Sequence, residues 1–256
     1  MNVENQGQSI ALVVDENKIK SNILLSIEPK KENVITYLKE LKLKTGQHFQ
    51  VIPNISVARD ICYITGASGS GKSYWTRLYA DQYRKVYPKR EIYLISSLTE
   101  DSSIDKIKNL RRIKLNPEFL NEDIQATDFK ESLVIFDDCE ALTDKRMKNK
   151  VQGILNQLLT IGRHHSVSIC NLTHSVCNGA ETKLILNESN SITIFPHGLG
   201  GRSLKYLLEQ YLGLDKHQIK RLKNLNSRAV TILKSYPMCV LSEKEAYVLN
   251  TGDDTI

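Results

Sequence analysis

The sequence predicts an α/β fold with a mainly parallel central sheet flanked by helices, preceded by a small β-rich N-terminal appendage. Three observations carry the prediction. From Arg59 onward, short apolar runs alternate with helical stretches, the order that strand–crossover–strand units require. The runs are continuously apolar, as strands covered on both faces must be, rather than alternating as half-exposed strands are. Finally, 256 residues with 41% hydrophobic and 25% charged content can bury one large core, which excludes a disordered chain, a collagen-like rod and a disulfide miniprotein.

Residues 1–58 form the appendage. Residues 10–14 and 23–27 are β-rich and separated by a polar stretch, which reads as a hairpin or two edge strands, and residues 34–43 read as a helix. The main domain spans 59–250, with a flexible tail over 251–256. Its strands are expected at 61–65, 92–96, 133–136, 167–172 and 192–195, and its helices at 74–87 and 145–161. In the second helix, Val151, Ile154, Leu155, Leu158 and Leu159 recur at three and four residues and make one apolar face. Helices at 203–212 and 216–225 and strands at 229–233 and 246–249 follow, the last two extending or edging the sheet.

Gly66-Ala67-Ser68-Gly69-Ser70-Gly71-Lys72-Ser73 fits G-x-x-x-x-G-K-[ST] between an apolar strand and a helix, the context a phosphate loop needs. The glycines let successive backbone N–H groups converge on phosphate oxygens at a helix N-terminus. Lys72 supplies the charge for the β- and γ-phosphates, Ser73 a hydroxyl for Mg²⁺, and Tyr74 closes the nucleotide-contacting run. The implied cofactors are ATP and Mg²⁺. Leu133-Val134-Ile135-Phe136-Asp137-Asp138-Cys139-Glu140 supplies the acidic strand end that such a loop requires. Asp137 is placed to hold the Mg²⁺ shell, Asp138 to polarise the attacking water, and Glu140 is the alternative base.

Downstream, Gly162-Arg163-His164-His165 and a strand ending in Thr173-His174 follow the acidic strand end. Together with Phe195-Pro196-His197 and Tyr211-Leu212-Gly213-Leu214-Asp215-Lys216, this stretch resembles the poxvirus-type DNA-packaging ATPases of large DNA viruses and virophages, in the FtsK–HerA superfamily. The resemblance runs from about residue 60 to about 240. It implies an additional-strand P-loop fold, homo-oligomeric rings, and ATP hydrolysis that drives double-stranded DNA into a preformed capsid, with capsid or portal proteins as further partners. It also implies that Arg163 is a finger acting on a neighbouring subunit's γ-phosphate, with Arg202 the rival. Two positions depart from the superfamily pattern: Asp138 stands where Glu is common, and His174 where a polar sensor, often Gln, is common.

The same residues leave other readings open: a DNA pump or helicase-like NTPase of replication or conjugation, and a nucleotide-binding assembly switch with little turnover. Cys62, Cys139, Cys170, Cys177 and Cys239 are odd in number and scattered without a CxxC pair, which indicates a reduced, intracellular setting and disfavours zinc. The first residues lack a signal-peptide pattern and no apolar run reaches bilayer-spanning length, so the host cytoplasm, a viral factory or the virion is expected rather than a membrane. A net charge of +6 suits an anionic partner. Basic clusters at Arg84, Lys85, Lys89 and Arg90, at Arg111, Arg112 and Lys114, and at Lys216, Lys220, Arg221 and Lys223 are candidate DNA-facing surfaces.

Overall fold

The computed structural model describes residues 1–3, 7–16, 23–27, 39–235 and 237–249. β1 (Gln8–Asp15), β2 (Leu24–Ile27), β3 (Glu40–Lys42) and β4 (Gln47–Val51) precede β5 (Ile61–Thr65), which feeds the phosphate loop. Next come α1 (Lys72–Val86), β6 (Glu91–Ser96), β7 (Leu110–Ile113), β8 (Ser132–Asp137), α2 (Lys145–Ile161) and β9 (Ser168–Thr173). α3 (Ala180–Glu188), β10 (Ser191–Ile194), α4 (Gly201–Tyr206), α5 (Lys216–Lys223), β11 (Val230–Leu233), β12 (Cys239–Leu241) and β13 (Glu245–Val248) follow.

Ten strands form one sheet in the order β3-β13-β12-β11-β10-β5-β9-β8-β6-β7. From β10 to β7 every pairing is parallel, while β11, β12, β13 and β3 add antiparallel beyond β10. β9 lies between β5 and β8, so an additional strand separates the phosphate-loop strand from the acidic strand. Its tip therefore enters the gap between Lys72 and Asp137, and this fixes the site.

Side chains alternate along the strands into two cores. On one face, Ile61 and Tyr63 of β5 pack with Val151, Ile154, Leu155 and Leu158 of α2 and with Leu204 and Leu222 of α4 and α5. α2 starts where the Asp144 carboxylate accepts from the amides of Arg146 and Met147, and it buries the apolar stripe read from the sequence. On the other face, Cys62 and Ile64 pack with Tyr79, Ala80 and Tyr83 of α1 and with Ile10, Val13, Leu25 and Phe49. The last four belong to a separate antiparallel sheet, β2-β1-β4, whose apolar side closes that core.

Several elements differ from the sequence reading. Residues 34–38 of the expected helix lie outside the described residues, and Glu40–Lys42 is a strand. Leu41 packs against the core while Glu40 and Lys42 face out, the two-residue period of an edge strand, and β3 pairs with β13. The helix expected over 203–212 is α4 continued by a π-helical turn, Leu207–Tyr211. β4, β7, β12 and α3 are short or charged enough to escape periodicity. β7 hides as Leu-Arg-Arg-Ile, its arginines paired with Glu91 at 3.0 Å and Asp105 at 2.5 Å. The tail over 251–256 lies outside the described residues.

Candidate active site

The loop between β5 and α1 bends through left-handed backbone at Gly69 (φ 70°) and Gly71 (φ 112°), where an L side chain would be strained. A Cβ at Gly66 would lie 2.7 Å from Ser70 Oγ and 2.9 Å from Phe195 Cβ, so close packing demands glycine there as well. Ala67, Ser68 and Ser70 form the crest, and α1 begins at Lys72 with Ser73 half-buried and Tyr74 exposed at its first turn.

Lys72 Nζ donates to the carbonyls of Gly66 (2.8 Å) and Ala67 (3.2 Å) and lies 3.3 Å from His174 Nδ1. His174 Nε2 is 2.6 Å from Asp138 Oδ1. An ammonium only donates, so Nδ1 must accept from Lys72, which leaves the proton on Nε2 to be donated to Asp138. Geometry thus selects the tautomer. Asp138 itself sits in left-handed backbone (φ 49°), a strained place for a non-glycine residue, and its carbonyl accepts from Ser97 Oγ at 2.8 Å.

Asp137, the last residue of β8, is 2% exposed, and its Oδ2 has no hydrogen-bond partner. Burial, with Asp138 and Asp101 adding repulsion, pushes its pKa up to about 7, while Lys72 and Arg112 oppose the shift. A buried carboxylate oxygen without a partner, together with the Ser73 hydroxyl, fits a hard cation such as Mg²⁺ whose other ligands are water and phosphate oxygens. Burial lowers the pKa of Lys72, against the pull of Asp138, Asp137 and Glu140. Burial raises that of Glu140, opposed by His174 and by the amides of His174 and Ser175. Glu140, in the 3-10 turn Cys139–Ala141, thus braces the tip of β9, whereas Asp138 faces the His174–Lys72 chain.

Arg163 lies elsewhere. It is exposed in the turn Gly162–His165, before β9 begins, whereas His174 follows the far end of that strand, about 20 Å away at ~3.3 Å per residue. Within one chain it does not reach the loop. Arg202 is exposed at the start of α4, on the phosphate-loop end of the sheet, just beyond a segment in which Gly198 packs against Ala67. Cys170 is a core side chain of β9, and among the described residues no three His, Cys, Asp or Glu side chains are grouped to hold a metal.

Two contributors escaped sequence reading. Arg228 Nε donates to Ser70 O at 2.7 Å and Arg228 Nη2 to Gly69 O at 3.0 Å, holding the crest of the loop from the antiparallel side of the sheet. Phe195 packs beneath Gly66 and Gly71. Arg228 lies in no motif, and Phe195, though part of the Phe195-Pro196-His197 stretch, gave no sign of its packing role, since both act across more than a hundred residues of chain. Of the basic clusters, Arg111 and Arg112 are committed to carboxylates and Arg221 to Glu40 at 2.7 Å, while Lys216, Lys220 and Lys223 remain exposed along α5.

No protein-family model matches the chain. It is 34% identical over 214 residues to the uncharacterized protein V3 of Sputnik virophage, covering 82% of this chain and 84% of that protein. Its structure is similar to B204, the DNA-packaging ATPase from Sulfolobus turreted icosahedral virus, with a TM-score of 0.50 at 18% identity over 72% of this chain and 97% of that one. It is also similar to the cytoplasmic domain of the type VII secretion ATPase EccC from Thermomonospora curvata, with a TM-score of 0.52 at 11% identity over 84% of this chain and 29% of that one. At these identities the two structural likenesses are likenesses of fold. Among the described residues no helix is long and apolar enough to cross a membrane.

Proposed function

Because the chain belongs to the family of the Sputnik virophage protein V3 and has the P-loop fold seen in a viral DNA-packaging ATPase, we propose that it is an ATP-hydrolysing motor that moves double-stranded DNA into a viral capsid. The observation that carries the proposal is the convergence of Lys72, His174, Asp138 and the partnerless Asp137 oxygen around one phosphate loop.

In the free protein Lys72 is held by its own loop carbonyls and His174. An incoming triphosphate offers stronger, charged acceptors, so Lys72 turns to the β- and γ-oxygens while the loop amides take the β-phosphate. As the γ-phosphate draws Lys72 away, His174 loses that contact and passes the change to Asp138 through the hydrogen bond that Nε2–H donates to its carboxylate. Asp138 orients a water in line with the γ-phosphorus and accepts its proton. The new P–O bond forms as the β,γ-bridging P–O bond breaks, and ADP leaves with that electron pair. Ser73 and Asp137 would hold Mg²⁺, which would supply charge neutralisation for the phosphates.

In this reading Arg163 acts in trans within a homo-oligomeric ring, with Arg202 as the alternative, and turnover therefore requires assembly. Lys216, Lys220 and Lys223 offer the DNA backbone a sequence-independent surface that a ring would multiply. With the reading go capsid or portal proteins as partners and the host cytoplasm, viral factory or virion as its place of work. Steady-state ATPase activity with and without double-stranded DNA at low salt, beside a Lys72→Ala control, tests it. DNA-stimulated turnover lost in the variant is expected, and absence of turnover by the assembled oligomer overturns it. A nucleotide-binding assembly switch is the second reading, favoured by the closure of Lys72 and Asp138 on His174, and tight ATP binding with negligible turnover on DNA would establish it. Arg163→Ala is expected to bind ATP yet lose turnover.

A further inference from the structure

A cavity of about 370 Å³ opens on the flank of the phosphate loop opposite the acidic strand, within the size range of small-ligand sites, about 300–1,000 Å³. It meets the loop at Gly71 and Arg228, and Tyr74 and Trp75 of α1 face it. Trp75 is half-buried and stacks on Tyr79 with ring centroids 5.6 Å apart and planes 6° from parallel. The opposite wall comes from β4 of the N-terminal sheet, with Gln47, His48 and Phe49, and Ser242 lies on the β12–β13 turn. Aromatic faces with a few polar tips are the usual lining of a site for a flat, polar-edged ligand.

The loop gives this cavity a direction. Lys72 Nζ, His174, Asp138 and Asp137 sit on the β8–β9 side, so the γ-phosphate end of a triphosphate belongs there. A triphosphate laid along the loop in that sense brings its α-phosphate past Gly71 and Tyr74, and whatever the α-phosphate carries enters the cavity. Arg228 stands at the entrance. Its Nε and Nη2 are spent on the loop carbonyls, and its Nη1 has no partner among the described residues, so the guanidinium adds positive charge beside the α-phosphate position.

We propose that this cavity is the nucleobase and ribose site, with Trp75 as the stacking face, Gln47 and His48 of the N-terminal sheet as the polar edge, and Arg228 as a positioning residue for the loop. The inference rests on the ATP-binding reading above and adds to it that the segment before residue 58 is part of the nucleotide site.

Trp75 is the sole tryptophan of the chain, so its fluorescence reads the cavity directly. The full-length protein is titrated with Mg-ATP and with Mg-tripolyphosphate, which has the phosphates without the base. ATP is expected to change Trp75 emission and tripolyphosphate to compete with ATP while leaving emission unaltered. Gln47→Ala and His48→Ala, both at half-buried polar tips, are expected together to weaken ATP about tenfold and to leave tripolyphosphate affinity unchanged. Equal affinities for ATP and tripolyphosphate, with no emission change and no effect of either variant, overturn the proposal while leaving the phosphate loop intact. Binding of neither ligand overturns the ATP reading itself, and the base site with it.

Discussion

The two halves of the ten-stranded sheet are built by different rules. The parallel half, β10-β5-β9-β8-β6-β7, holds the candidate reactive groups at the tips of its strands: the phosphate loop after β5, the Asp137–Asp138 pair at the end of β8, and His174 after β9. The antiparallel half, β3-β13-β12-β11, carries none of these and is assembled from strands of three or four residues drawn from both ends of the described chain. Yet Arg228, just before β11, clamps the phosphate loop, and the cavity beside it is walled from that side. The candidate reactive groups are thus concentrated in one half, while the geometry of the loop is shared with the other.

Graded perturbations separate these contributions. The largest effect is expected at Lys72, where Lys72→Ala should reduce ATP turnover by about 10³-fold or more in a steady-state assay, since it removes the charge aimed at the γ-phosphate. Asp138→Asn should lower kcat about 10²- to 10³-fold with little change in KM. If Asp138 and His174 act as one unit, adding His174→Ala to Asp138→Asn should cost almost nothing further, and full additivity would separate them.

Asp137 predicts a pH signature of the Mg²⁺-free protein. Its folded pKa, about 7, lies above its unfolded value near 3.8, so between these limits the folded state binds the extra proton. Stability should therefore fall as pH rises from about 4 to about 7 and level off above, by on the order of 2 kcal/mol. Denaturant titrations should show Asp137→Asn flattening that slope, and Mg²⁺ with nucleotide reversing it by favouring the carboxylate. On the antiparallel side the effects shrink. Arg228→Ala should raise KM for ATP about tenfold and spare kcat, because the clamp holds the loop and touches no reacting atom. Leu41→Ala in edge strand β3 should cost only about 1 kcal/mol of stability, with turnover unchanged. Equal losses of kcat from Arg228→Ala and Asp138→Asn would erase the division of labour between the halves.

The parallel half was legible in the sequence because burial on both faces leaves little choice of residue. Ile61–Thr65 and Ser132–Asp137 are buried at every position, and α2 must keep Leu158 and its neighbours on one stripe. The loop geometry at Gly69 and Gly71 and the carboxylate of Asp137 ending β8 were legible because each is a local pattern: a turn that only glycine allows, followed by a lysine at fixed spacing, and a carboxylate ending an apolar run. β3, β4 and β12 were illegible because a strand of three to five residues buries too little to impose a period, and its partner lies far away in the chain. Residues 34–43 read as a helix on local pattern, and the pairing of Glu40–Lys42 with β13 decides otherwise for their described end.

Local residue order therefore determined the α/β class, the helix faces, and the candidate phosphate-loop and acidic-strand residues, because each depends on neighbours within about a helical turn or on a fixed motif spacing. The additional strand was implied by the family resemblance and stands as β9 between β5 and β8, but only tertiary structure decided that its tip joins His174 to both Lys72 and Asp138. It alone decided that Arg228 holds the loop from 158 residues away, and that Arg163 lies at the other end of its strand from the loop. These are contacts between strand tips and distant segments, and their free energy depends on strand order, which no local stretch of residues encodes.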